Sequence, residues 1–502
     1  MGNSGDPQSL DPHITAGYPE KKIHSGLFEG LVLMHPEDLS PIPGVAESWD
    51  VSEDGKTYTF HLRKEARWSN GAPLTAQDFL FSLERVLSPN ISAPYAYTVF
   101  LLKNGQAYHN GTLTDFSKVG AKALDEHTLQ LELENPTPYF LQMVSQHAWY
   151  PVHKATILKH GDPYAPNNPW VRPGNHVGNG PFALKEWRAS DVIKIERNPH
   201  YWDKENVHLN EVHFFPMDPE TEERAFRSNQ LHYTYRVVED KLRDLFAKEA
   251  PELVSTPSPI FFHFILNTQV PPLNDKRVRK ALSLAINRKA LTARITGPND
   301  SPAYNFISPV VSNYTPAVSV KEDIQYAKAL LAEAGYPNGE GFPQVELLYH
   351  TAEINRKLAQ AIQEMWKKNL GINITLQNQE WKVVLANRAK KQFEILRNAW
   401  LPRYLDANAS LALYTSDSTQ NHTSWAHPGY DALLEQAAAA NNPEERLSHL
   451  QAAEAILLEE VPIIPIYFIN SNHFKHADIK GWYPNALDEH PYKFIYLENT
   501  PS

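Results

Sequence analysis

Apolar and polar residues alternate through residues 56–63 (KTYTFHLR), a period of two that predicts a strand, and Asp54-Gly55 just before it is a hairpin turn signal. The period then changes. In residues 73–87 (PLTAQDFLFSLERVL), Phe79, Leu80, Leu83, Val86 and Leu87 recur at helical intervals. Thr75 with Asp78 three residues later has the spacing of a capping box, so a helix starts there. Residues 122–140 predict two strands around an Asp-Glu turn, stopped by Pro136. A loop rich in Pro, Asn and Gly, residues 165–181, is a candidate domain junction. Alternation resumes through residues 182–187 and 192–195.

From about residue 274 the helical period dominates. Val278, Ala281, Leu282 and Ile286 share one face of NDKRVRKALSLAINRKAL. The segment VKEDIQYAKALLAEAGYP stops at Gly335 with Pro337 beyond, and EINRKLAQAIQEMWKKNLG stops at Gly371. INITLQ, directly after, alternates β-branched residues as a strand does. Asn442 as N-cap and Pro443 at the first helical position open another helix, and the apolar PIIPIYF after it predicts a buried strand. Strand and helix alternating in this way point to α/β domains with partly parallel sheets.

A chain of 502 residues is too long for one simple core, so two to four domains are expected. Hydrophobic residues make up 42% and charged residues 21%, as in globular domains generally, and no run approaches the ~20 apolar residues of a membrane span. The net charge of −11 argues against a nucleic-acid partner, which needs clustered Lys and Arg. With no cysteine, disulfides, thiolate catalysis and Cys-based zinc sites are excluded. No phosphate-binding Gly loop, H-E-x-x-H helix or G-x-S-x-G elbow is present. His13, His208, His213 and His263 lie near aromatic or acidic residues but share no metal-ligand spacing, and structural or surface roles are expected for them. Neither a cofactor nor a catalytic site is expected.

Several stretches in order, QSLDPH, LFEGL, GVAESWD, TYTFHLRKEARWSNGAPLTAQDF, NGPFALKEW, RNPHYWD, PPLNDKRVRKALSLAINR, LLAEAGY and NQEWK, span nearly the whole chain. They resemble the oligopeptide-binding branch of the ABC-transporter substrate-binding proteins. The resemblance implies an α/β, two-lobed periplasmic-binding-protein fold of three domains (cluster C type) that closes on a hinge. Domain I would comprise residues 1–28, 175–257 and 472–502, domain II residues 29–174, and domain III, the second lobe, residues 258–471. It implies a monomer that captures a peptide or peptide-like ligand between its lobes and delivers it to an ABC permease, without chemistry. A periplasmic location is implied, or a cell-surface one with a lipid anchor. Only MGNSGDP precedes the first motif, where the family has a leader and a first strand, so a mature exported chain is expected. A sensor or an enzyme on the same scaffold is the rival reading, because fold does not fix function.

In such proteins the peptide lies extended and is bonded like an added strand. Tyr18 falls at one edge of the implied pocket, with Tyr97 and Phe100 as wall candidates and Arg236 among the hinge-side residues. Trp381 and Trp400 match pocket tryptophans. Arg388 and Arg397 match arginines whose forked donors suit a peptide's C-terminal carboxylate. The family aspartate that pairs with the ligand's α-ammonium falls at Arg403, a reversal of charge. The stretch TGPNDSPAY also lacks the lysine that tripeptide binders place near the ligand carboxylate. The implied ligand is therefore anionic or N-blocked. The alternative is an ordinary free-amine oligopeptide held by Asp406, three residues on.

Overall fold

In the computed structural model, which describes residues 1–238, 241–440 and 442–498, the chain forms two compact units. Unit 1 comprises Met1–Val237, Pro251–Val254 and Asn472–Ser502, and unit 2 comprises Val238–Ala250 and Ser255–Ser471. Of the expected domain limits, 471/472 is also a unit limit, and 28/29 and 174/175 lie inside unit 1.

In unit 1, β1 (Val32–Met34) pairs antiparallel with β2 (Pro41–Pro43). β3 (Ala46–Val51), β4 (Thr57–Leu62), β5 (Ala121–Asp125) and β6 (Thr128–Glu132) form an antiparallel sheet of order β3-β4-β6-β5. The predicted alternation buries Tyr58, Phe60 and Leu62 on one face, and Gly55 takes the left-handed turn position at φ +67°. The helix Ala76–Leu87 follows, and the Asp78 carboxylate accepts from the Thr75 N–H at 2.8 Å, the predicted cap. β7 (Phe182–Arg188), β8 (Val192–Arg197) and β9 (Glu211–Phe214) make a third antiparallel sheet. It packs in one core with Leu10, Ile23, Leu27, Phe28 and Trp170.

Unit 2 is built on one six-stranded sheet of order β11-β15-β10-β14-β12-β13. Its strands are β10 (Leu253–Leu266), β11 (Ser301–Pro302), β12 (Val345–His350), β13 (Ile374–Gln379), β14 (Ile395–Trp400) and β15 (Ile463–Phe474). β12 is parallel to both β13 and β14, whereas β10 is antiparallel to β14. Both sheet faces are covered, as a largely apolar sheet requires. Phe262, Phe264, Leu347 and Ile395 join one core with the helix Glu353–Leu370, and Phe261, Ile265, Leu348 and Leu396 join the other. The helix predicted through Ile286 ends at Leu284, and a second one, Arg288–Arg294, follows; Ile286 lies between them. Asn287 is the reason: its side chain accepts from the Ala290 N–H at 2.8 Å and caps a new helix. Val278, Ala281, Leu282 and Ile286 nonetheless share one core. Gly371 ends Glu353–Leu370 at φ +75°, and Asn442 caps Pro443–Glu460 by accepting from Glu445 N–H at 2.8 Å. The chain returns to unit 1 within β15, and β16 (Ile479–Lys480) and β17 (Tyr496–Leu497) form an antiparallel pair there.

Candidate functional site

The connections around β12 run in opposite directions. β12 leads through the helix Glu353–Leu370 to β13 on one side, and β13 leads through the helix Trp381–Ala389 to β14 on the other. The first helix packs on the Phe262 face; the second, through Val384, packs on the Phe261 face. An open α/β sheet that reverses in this way forms its ligand crevice at the carboxyl ends of the strands flanking the switch. His350, Gln379 and Trp400 are those ends here.

Six of the candidate residues lie on this part of unit 2 or just after it. Trp381 opens its helix, 47% exposed, with its ring edge-on to His350 at 4.9 Å. The two arginines serve opposite faces of the sheet, Arg397 from β14 itself and Arg388 from the helix Trp381–Ala389. Arg397 lies on the Phe262 face, its guanidinium 4.3 Å from that ring's centre. On the opposite face Arg388 Nη1 donates to Asn398 Oδ1 at 3.0 Å. Burial pulls the Arg388 pKa below its ordinary value, and no carboxylate among the described residues pairs with it. Trp400 packs on this second face and donates from Nε1 to Ala409 O at 3.2 Å.

The register opposes Asn398 to His263 of β10. Asn398 Nδ2 lies 3.1 Å from His263 Nε2, and the Tyr414 hydroxyl lies 2.9 Å from the same nitrogen. Burial, with Arg397 and Arg388 adding repulsion, pushes the His263 pKa down to about 3, so the ring is neutral. Sequence reasoning missed this trio and expected only a structural or surface histidine. The signal was parity: Phe261, His263 and Ile265 share a face, and Asn398 and Trp400 share the corresponding one on β14.

Arg403 sits half-buried in the bend after β14. Asp406 is buried, and Arg446 grips both its oxygens, Nη1 to Oδ2 at 2.9 Å and Nη2 to Oδ1 at 2.7 Å. Asp406 Oδ1 also accepts from the Asn408 N–H at 2.9 Å, at the start of the helix Asn408–Leu411. This carboxylate is engaged by its own fold.

The other four candidates belong to unit 1. Tyr18 starts the helix Tyr18–Leu27, with its ring 6.3 Å from Tyr235, and the Arg236 guanidinium lies 5.8 Å from the same Tyr235 ring. Tyr97 is 52% exposed and stands 6.0 Å from Tyr95, while Phe100 rests on His109 at 5.0 Å. Tyr18 also lines a cavity of about 530 Å³ contained in unit 1. At that cavity Asp488 meets His490 at 2.8 Å, His473 at 3.2 Å and Lys22 at 3.6 Å. Burial opposes its charge, but His473 and Lys22 hold its carboxyl well below the usual carboxylate range. No group of metal-ligating side chains occurs among the described residues, and no described helix is long and apolar enough to cross a membrane. His13 is buried between Tyr150 O and Arg85, His213 pairs with Glu211 at 2.7 Å, and His208 packs on Tyr496.

Comparison with known proteins adds a second line. A profile of bacterial extracellular solute-binding proteins, family 5 (middle region), matches residues 40–422. The periplasmic murein peptide-binding protein MppA of Escherichia coli is 35% identical over 97% of this chain and 90% of its own length. The probable deoxycholate-binding periplasmic protein YgiS of Escherichia coli is 34% identical over 93% of this chain and 87% of its own. Among solved structures, Haemophilus influenzae OppA in complex with the peptide RPPGFSPFR superposes with a TM-score of 0.83 at 31% identity, covering 99% of this chain and 98% of that one.

Proposed function

The chain belongs to the bacterial extracellular solute-binding proteins of family 5, in their oligopeptide-binding branch, and from that premise we propose that it captures a peptide or peptide-like ligand and delivers it to an ABC importer. The family is one of binding proteins, not enzymes. Its relatives named here are periplasmic, which supports that location for this chain; a lipid-anchored cell-surface form is the alternative.

The finer reading is that the ligand is anionic or N-blocked and meets unit 2 at the switch point. One observation carries it: Arg388, on the helix after β13, reaches Asn398 near the carboxyl end of β14, and no carboxylate among the described residues pairs with it. A ligand carboxylate would supply the missing charge. Arg403, where an aspartate is expected, adds a positive charge in the same segment. Tyr18, Tyr97, Arg236, Trp381, Arg397 and Trp400 complete the proposed ligand-binding set. The relative named for deoxycholate is consistent with this, since that ligand is an anion without an amine.

Holding a free amine with Asp406 would require breaking its buried pair with Arg446. Breaking such a pair costs ~3–5 kcal/mol, about two to four decades of affinity. Calorimetric titration tests the reading. N-acetyl tripeptides with a free carboxylate are expected to bind more tightly than the same peptides with a C-terminal amide. Equal affinity for acid and amide sinks it.

A further inference from the structure

Resting on that reading of Arg388 as the partner of the ligand's anion, we propose that Asn398 and His263 are positioning residues: a neutral, one-directional hydrogen-bond chain that aims the Arg388 guanidinium without consuming its charge. The assignment of donors starts from Arg388 and leaves His263 Nδ1 buried without a hydrogen-bond partner among the described residues. A guanidinium has no acceptor, so Asn398 must present Oδ1 to Arg388 at 3.0 Å. Its Nδ2 then faces His263 Nε2 at 3.1 Å, and that nitrogen must accept. Nε2 accepts only in the tautomer that carries its proton on Nδ1. In that tautomer the Tyr414 hydroxyl, 2.9 Å away, can only donate, and it shares the nitrogen's single lone pair with the Asn398 amide.

A protonated His263 would turn Nε2 into a donor and rotate the Asn398 amide, setting its N–H groups against Arg388. The charged and titratable groups facing the ring disfavour this: Arg388 and Arg397 repel an imidazolium, and the Tyr414 hydroxyl is held neutral by burial. The partners are neutral where a carboxylate would be the simpler anchor for an arginine. The contrast lies in the same unit, where Asp406 anchors Arg446 and cancels it. An aspartate at 398 would do the same to Arg388.

Two measurements test this. In the unliganded protein, imidazole ¹⁵N shifts are expected to show His263 Nε2 unprotonated and Nδ1 protonated from about pH 5.5 to about pH 8. A proton on Nε2 overturns the chain. The second measurement is the affinity ratio of N-acetyl-trialanine to its C-terminal amide. Asn398→Leu and His263→Leu are expected to lower that ratio about tenfold. His263→Gln, which restores an acceptor, recovers it, and Asn398→Asp brings it close to one. If Arg388→Ala removes the preference but Asn398→Leu and His263→Leu leave it intact, the positioning role is wrong and the reading of Arg388 stands. If Arg388→Ala leaves the preference intact, the reading of Arg388 fails, and the ¹⁵N shifts alone decide the chain.

Discussion

Two arginines, one in each unit, receive opposite treatment. Arg85 in unit 1 is 1% exposed; its Nη1 and Nη2 reach the two oxygens of Asp11 at 3.0 and 2.6 Å, and Nε donates to Pro163 O at 2.7 Å. Arg388 in unit 2 uses one guanidinium nitrogen, toward a neutral amide, and is otherwise without a protein partner among the described residues. A neutral partner alone does not make the difference. Arg288, also in unit 2, is as fully buried as Arg85 and is satisfied by the carbonyls of Pro465, Ser283 and Ile286 and by the Ser283 hydroxyl. What separates Arg388 is an incompletely filled fork, carried by a helix and directed at Asn398 of β14. A filled fork is part of the core; an open one at a switch point is a place to receive an anion.

Removing Asp11 should give the largest change. Asp11→Ala leaves Arg85 buried without its counter-ion, and urea unfolding is expected to show a loss of ~3–5 kcal/mol. Ligand affinity of the folded fraction should be nearly unchanged. Arg388→Ala should do the reverse: affinity for an anionic ligand falls by about 2–3 kcal/mol, while stability changes by under ~0.5 kcal/mol. If the two substitutions affect stability equally, the contrast between the units collapses.

Acid sharpens the comparison. His24 in unit 1 is buried, and burial lowers its pKa from 6.5 to about 4. Its folded value lies below its unfolded one, so the unfolded chain binds the proton first. The stability it contributes is fully present above about pH 6.5 and is lost as pH falls towards 4. Thermal unfolding should show His24→Phe losing less stability than the parent between pH 7 and pH 5, by about 2 kcal/mol. His13 behaves likewise, its pKa also lowered to about 4. The smallest effect belongs to Tyr414→Phe. It removes one donor to His263 and should lower stability by about 1 kcal/mol, with ligand preference altered less than by Asn398→Leu.

Much of the fold was legible because its signals are local. Thr75 with Asp78, Asn442 with Pro443, and the terminal Gly371 each mark a helix end by chemistry within a few residues. The break at Asn287 was hidden because the apolar positions keep their period across it, so only the competing cap reveals two helices. The site was less legible for a different reason. Resemblance brought Arg388 and Arg397 together as carboxylate partners, and only the pairing of β14 with β10 shows that they serve opposite faces. The bond between Asn398 and His263 joins residues 135 apart in the chain, and Arg446 lies 40 residues from the Asp406 it engages. No local period carries such pairings.

If the ligand lacks a free amine, as proposed, acetylating a peptide's N-terminus strengthens its binding. Trialanine and N-acetyl-trialanine would be titrated calorimetrically into the parent chain and into Arg403→Asp. The parent is expected to prefer the acetylated peptide, and Arg403→Asp is expected to reverse the preference. Tighter binding of trialanine by the parent, unchanged in Arg403→Asp, would contradict that proposal.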